Sequence, residues 1–417
     1  MPATLTLVFV FAVLLGGIRA RLGLATSIVG ASFALAMLRG LSWLQWLGAL
    51  PAALLSRQTV LLAVMITVIL VFSSVYAASG QSARFLAAVR GRIASPELLV
   101  TFFPALIGLL PMPGGAIFSA PMVAQAAADL ELSPEDQSLI NYWFRHVWEL
   151  AWPLYPGIIL AASLAHMPVT EVMAFMWPGP LTAMALGWWW ILRPVRSRGG
   201  WRRFSQAGTP ASGLLDGLPL AVAIGGAVVG EWGCARLLPH LPMEWAVVAA
   251  MVAAAVVSLV RSQAQWRPTL QEAAKNNILG LLAVVAAVFV FKEVLARGQV
   301  VDALAAELGG GGAVTLLAVV LPFAVGSISG ITMAFVGATF PLLFGLAVST
   351  GQQAQIPALL CLGLYSGFAG IMASPMHICY LVTCRYFRVD PARLLPRIAL
   401  PSLMFIPVGL VSYLVLA

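Results

Sequence analysis

The sequence predicts an all-α polytopic membrane protein: about ten transmembrane helices plus two re-entrant hairpins, in two inverted-topology repeats. Three observations carry this. Of 417 residues, 61% are hydrophobic and 9% charged, against roughly 45–50% and about 25% in a soluble domain, so charge is too scarce to cover a water-facing surface. Ten segments approach the about 20 apolar residues that a bilayer-spanning helix needs. Two longer apolar stretches, 97–128 and 312–346, are broken by Gly and Pro at corresponding places in the two halves. A soluble enzyme, a nucleic-acid partner and a disordered chain are excluded. The net charge of +8 records topology.

Taken in order, residues 3–18 form the first span; they lack the basic start and small-residue cleavage site of a signal peptide, so the segment is expected to be retained. Spans at 22–38 and 59–78 follow. The stretch 41–55 is bracketed by Arg39 and Arg57 and reads as interfacial. Residues 97–128 are too broken for one helix and too short for two full spans, hence a hairpin. Spans at 143–165 and 169–192 close the first repeat, 1–192, and a basic linker, 193–212, leads to the second, 213–417. That repeat holds spans at 213–234, 244–260 and 277–292, the hairpin 312–346, and spans at 355–384 and 398–416. With both termini outside, 18 basic residues fall inside, including the run Arg193, Arg196, Arg198, Arg202 and Arg203. Five fall outside: Arg39, Arg57, Arg236, Lys292 and Arg297. Positive residues accumulate on the cytoplasmic side, so this orientation in the inner (cytoplasmic) membrane is preferred. At a shift of 218 Pro104 falls on Pro322, and at 222 Pro153 falls on Pro375. Inverted repeats recur in secondary transporters.

Irregular backbone at membrane depth is tolerated where it is buried in protein or lines a polar cavity. The first hairpin tip holds Pro113, Gly114 and Gly115, followed by Ser119; the helix starting there presents unpaired N–H groups suited to an anion. The second tip holds Ser327, Ser329, Gly330 and Thr332, hydroxyls that suit a small cation or a substrate oxygen. Close packing of small residues is the plainer alternative. Each following span is also interrupted, at Trp152-Pro153-Leu154-Tyr155-Pro156-Gly157 and at Gly370–Pro375 with His377 just beyond. Ser133 is the expected N-cap of the first of these broken spans, with Pro134 at its first helical position. Arg145 and Glu149 stand at i and i+4. They read either as a pair fixing the helix near the inner interface or, for Glu149, as a proton or cation site. His377 is the second candidate for proton coupling. The four cysteines, with no CxxC pair or His cluster at ligand spacing, read as small buried hydrophobes, and neither a metal nor a cofactor is expected beyond a coupling Na+ or H+. No Walker loop, nucleophile elbow or HExxH occurs, so no enzyme is expected.

The blocks LLPMPGGAIFSAPMV (109–123) and NYWFRHVWELAWPLYPG (141–157) resemble an uncharacterised prokaryotic membrane family known by its domain-of-unknown-function number 401. That family is grouped with the ion transporter superfamily of dicarboxylate, citrate and gluconate carriers. The resemblance implies an elevator-like transport domain moving against a scaffold in a homodimer. The hairpin tips, with Trp152, Tyr155, Ser374 and His377, would bind substrate. Neither tip carries the Asn of the Ser-Asn-Thr triplet found in sodium-coupled dicarboxylate carriers, which makes proton coupling through Glu149 or His377 a rival to sodium. The expected function is therefore ion-coupled transport of a small organic anion, with membrane lipids as the surroundings. An ion/proton antiporter, or an intramembrane enzyme or lipid-handling protein in which His146, Glu149 and His377 converge, are the alternatives.

Overall fold

The computed structural model describes residues 2–81, 84–85, 88, 95–109, 115–128, 130–197, 213–237, 244–262, 278–308 and 311–417. Regular structure among them is helical throughout. In the first half the helices are α1 (Ala3–Arg19), α2 (Leu24–Leu38), α3 (Trp43–Leu54), α4 (Arg57–Ala78), α5 (Pro96–Ile107), α6 (Ala116–Ala126), α7 (Pro134–Arg145), α8 (Pro156–Ala165), α9 (Val169–Met176) and α10 (Pro178–Gly187). A π turn, Trp188–Leu192, joins α10 to α11 (Arg193–Ser197). The second half holds α12 (Leu218–Leu237), α13 (Glu244–Arg261), α14 (Ile278–Arg297), α15 (Val300–Leu308), α16 (Gly311–Ser329), α17 (Thr332–Ser349), α18 (Ile356–Met372), α19 (Ile378–Phe387), α20 (Pro391–Leu403) and α21 (Phe405–Leu416).

Seven of the described helices are long and apolar enough to cross a membrane, or eight with the pair Pro156–Ala165 and Val169–Ser197, which bends by 109°. The 12 residues of α3 reach about 18 Å, too short to span about 30 Å of hydrocarbon. The stretch 41–55 is thus a short helix, set by a capping box between Ser42 and Gln45. The two arms of the second hairpin, α16 and α17, have 19 and 18 residues. At about 28 and 27 Å they are longer than the sequence pattern implied.

Local signals explain where helices begin. Ser133 accepts from the Asp136 N–H and Pro134 occupies the first turn of α7, as the sequence requires. Ser42, Ser56, Ser95 and Asp390 cap α3, α4, α5 and α20 in the same way. Two packing groups result. Helices α1–α4 pack with α12–α14, while α5–α8 interlock with α16–α21.

Polar contacts tie the helix ends together. Arg84 pairs with Asp216 at 2.8 Å and Arg397 with Asp136 at 3.2 Å. Lys292 donates to Gln58, Arg39 to the Gly298 carbonyl, and Glu307 accepts the Ala3 and Thr4 N–H groups.

The backbone also recurs at the 222-residue shift. Tyr155 and His377 are the N-caps of α8 and α19, both helices have 10 residues, and both end in a left-handed residue with φ 56, His166 and Arg388. The next helices, α9 and α20, start at Val169 and Pro391, again 222 apart. Most of the linker 193–212, from 198 onward, lies outside the described residues.

Candidate functional site

Each broken span is stitched to the hairpin before it. In the first half the Tyr155 hydroxyl donates to the Gly108 carbonyl at 2.7 Å and the Trp152 indole N–H to that of Leu109 at 2.8 Å, where α5 ends. In the second, His377 Nδ1 meets the Gly330 carbonyl at 2.7 Å and the Ser374 hydroxyl donates to the Ser327 carbonyl at 2.6 Å. Three of the four contacts join residues 47 apart. The chain thus closes the same loop twice. Backbone carbonyls exposed where a helix stops are satisfied by side chains from where the next one breaks.

The two stitched units meet across a cavity of about 510 Å³. Its polar wall is formed by Arg145, His146, Glu149, Tyr155, Thr332 and His377. Arg145, at the end of α7, is 2% exposed and donates through Nη1 to the Tyr155 hydroxyl at 2.9 Å. Its guanidinium lies against Gly115: a Cβ there would stand 2.6 Å from Nη2. Only glycine lets the hairpin backbone approach this cation so closely. Glu149, 7% exposed, accepts a hydrogen bond from the Thr332 hydroxyl across the two halves. His146 and His377 approach Nε2 to Nε2 at 3.0 Å. Gly330, at φ +65 and with His377 backbone 2.8 Å from where its Cβ would be, supplies the turn that aims Thr332 at Glu149.

Four helices begin at this cavity: α2 at Gly23–Leu24, α8 at Tyr155–Pro156, α17 at Ile331–Thr332 and α19 at His377–Ile378. None of the four starts has a side-chain cap. A helix N-terminus carries about half a positive charge and N–H groups without an intrahelical acceptor. Together with Arg145 they make a setting for an anion. The rest of the lining is largely apolar, with Leu24, Leu70, Leu281, Val284, Ile331 and Met333. It includes residues of α2, α4 and α14, so the cavity lies between the two packing groups.

Of the residues singled out in the sequence, Glu149, Tyr155, Gly330, Thr332 and His377 line the cavity. Gly115 backs Arg145. Ser119 turns to the Ala116 carbonyl of its own helix, and Ser329 bridges the turn at Ile331. Trp152 and Ser374 serve the stitches, and the Ser327 hydroxyl is buried without a hydrogen-bond partner among the described residues. Pro113 and Gly114 lie outside the described residues. Arg145, which the sequence offers only as the partner of Glu149, and Cys379, which it offers as a buried hydrophobe, are additions. The one local signal for Cys379 is its place two residues after His377. Its sulfur and the two imidazoles form a group whose donor atoms all lie within 4.8 Å.

A family model described as protein of unknown function (DUF401) matches residues 2–416. Among curated proteins none matches the chain. Among solved structures the chain is similar to the crystal structure of the Alcanivorax borkumensis YdaH transporter, described as having an unusual topology. Identity is 14% over 89% of this chain and 86% of that one, with a TM-score of 0.61. At that identity the likeness concerns the fold.

Proposed function

The chain belongs to the DUF401 family, and from that premise we propose that it is a secondary active transporter of a small organic anion, ion-coupled and elevator-like. The observation that carries the reading is the cavity where four uncapped helix starts and Arg145 converge. Arg145 and the N–H groups of α17 and α19 hold the carboxylate of the substrate, and the apolar wall holds its body. One guanidinium and a hydrocarbon wall favour a monocarboxylate with an aliphatic or aromatic body over citrate. A cavity between two packing groups can face either side of the membrane as one group, α5–α11 with α16–α21, moves past the other. The fold shared with YdaH, itself described as a transporter, supports this reading. The arginine-rich face is cytoplasmic, both termini are outside, the two halves act as inverted repeats, and the chain works as a homodimer.

Coupling rests on Glu149. Its ionised carboxylate competes with the substrate for Arg145 and the helix starts, so binding a proton there frees the site for an anion and the two travel together. Arg145, Tyr155, His146, His377 and Cys379 are the other charged or titratable groups on the wall. Uptake of a carboxylate panel into proteoliposomes under imposed proton or sodium gradients is the test. Accumulation of at least one monocarboxylate under a proton gradient is expected, and Glu149→Gln should retain exchange but lose accumulation. If no carboxylate moves under either gradient, the substrate assignment fails.

An intramembrane enzyme is the second reading, favoured by the His146–His377 contact. Product formation from a lipid or acid incubated with the protein, lost in both histidine variants while uptake persists, would select it.

A further inference from the structure

We infer that His146, His377 and Cys379 form a binding site for one divalent transition-metal ion of the zinc class, with its fourth position open to the cavity. The inference begins with the count of protons. His146 Nδ1 lies 2.7 Å from the Tyr142 carbonyl, and His377 Nδ1 lies 2.7 Å from the Gly330 carbonyl. A carbonyl only accepts, so each neutral ring carries its proton on Nδ1 and leaves a lone pair on Nε2. Those two Nε2 atoms face each other at 3.0 Å. Two lone pairs at that distance repel, and a positive centre between them removes the conflict.

The third donor decides which positive centre fits. A shared proton would need the two nitrogens alone, yet the Cys379 sulfur is held with them, all three donor atoms lying within 4.8 Å. All three side chains are buried and all three line the cavity. Two imidazoles and a thiolate are donors that zinc(II) accepts and that copper also takes in trigonal sites, and carbonyl-anchored Nδ1 atoms are the outer partners that metal-bound histidines carry. Distance agrees. Two nitrogens on a tetrahedral ion at about 2.0–2.1 Å stand roughly 3.3 Å apart, so the rings need to part by only a few tenths of an ångström. Trigonal copper(I) would need about 3.5 Å with the same bond lengths.

Binding releases the Cys379 thiol proton to solvent, while the imidazoles are already neutral. The ion then brings one net positive charge to a wall that also holds Glu149. His146 ends α7 and His377 and Cys379 begin α19, so the ion ties the broken span of one half to that of the other. This holds whatever the chain carries.

The test uses untagged full-length protein, stripped with a chelator and loaded with zinc(II) chloride alone, then with cobalt(II) chloride. One zinc per chain is expected, with X-ray absorption showing nitrogen neighbours at about 2.0 Å and one sulfur at about 2.3 Å. Cobalt should give tetrahedral d–d bands and a thiolate charge-transfer band. Loss of an outer-shell partner alone costs about 10–100-fold in affinity, so Cys379→Ser and His377→Gln should each weaken zinc by about 100-fold or more. Cys379→Ser also removes the charge-transfer band, while Cys361→Ser, in α18, changes nothing. Zinc that is not retained, or is retained equally by Cys379→Ser, overturns the site. So does imidazole nitrogen resonance showing one proton shared between His146 and His377 before and after loading.

Discussion

Five helices that start away from the cavity carry side-chain caps of their own, whereas the four that start at it carry none. Ser42, Ser56, Ser95, Ser133 and Asp390 cap α3, α4, α5, α7 and α20, and Glu307 reaches across to the first N–H groups of α1. At the cavity the cap positions are Gly23, Tyr155, Ile331 and His377, whose side chains point to other tasks or to none. Of the rest with a described start, α10 and α21 continue from the preceding helix, α18 continues from the turn Gln353–Gln355, α6 begins beside Arg145, and α9 is simply uncapped. A cap contributes about 1 kcal/mol. Leaving four converging starts without one costs stability that a bound anion recovers, which is the physical content of the transport proposal.

That contrast can be broken at its strongest point by Arg145→Gln. Removing a buried, hydrogen-bonded charge from a site costs about 3–5 kcal/mol, so carboxylate uptake should fall by about 10²–10⁴-fold; uptake within twofold of the parent would remove Arg145 from the site. Converting a cavity start into a capped one is the next test. Ile331 has the extended backbone of an N-cap, φ −139 and ψ 126, so Ile331→Asp should cap α17. Thermal stability in detergent should hold or rise by about 1 kcal/mol, while uptake drops tenfold or more because a carboxylate now occupies the N–H groups. The reverse change at a capped start, Ser133→Ala, should lower stability by about 1 kcal/mol and leave the KM for uptake unchanged.

The smallest effect lies at Glu307. The Thr4 and Ala3 N–H groups hold its carboxyl below the ordinary value. A lowered folded pKa means the contact contributes fully above the unfolded value of about 4.3 and is lost as pH falls through the lower folded value. Glu307→Gln should therefore flatten the acid side of the stability profile below about pH 4 and leave uptake at neutral pH alone.

The helices were legible because hydropathy over 20 residues depends on the neighbouring chain alone. Gly and Pro marked the hairpin tip near Gly330 and the breaks at Pro153 and Pro375, and the shift of 222 read from those two prolines matches the paired caps Tyr155 and His377. Partners across the fold were not legible. Glu149 and Thr332 are 183 residues apart and His146 and His377 are 231 apart, and no periodicity reports which distant side chains face one another. Where a hydroxyl turns was not legible either, for the same reason. Ser119 and Ser374 sit in the expected motifs, yet their hydrogen bonds go to backbone carbonyls, an equally good use of a hydroxyl beside a broken helix.

The most direct measurement is an experimental structure of the chain with a transported monocarboxylate bound. The account predicts the carboxylate within about 3 Å of the Arg145 guanidinium and of the N–H groups of Thr332 or Met333, with its hydrocarbon body against Leu70 and Val284. A carboxylate bound elsewhere, with those helix starts left to water or to a lipid chain, would contradict it.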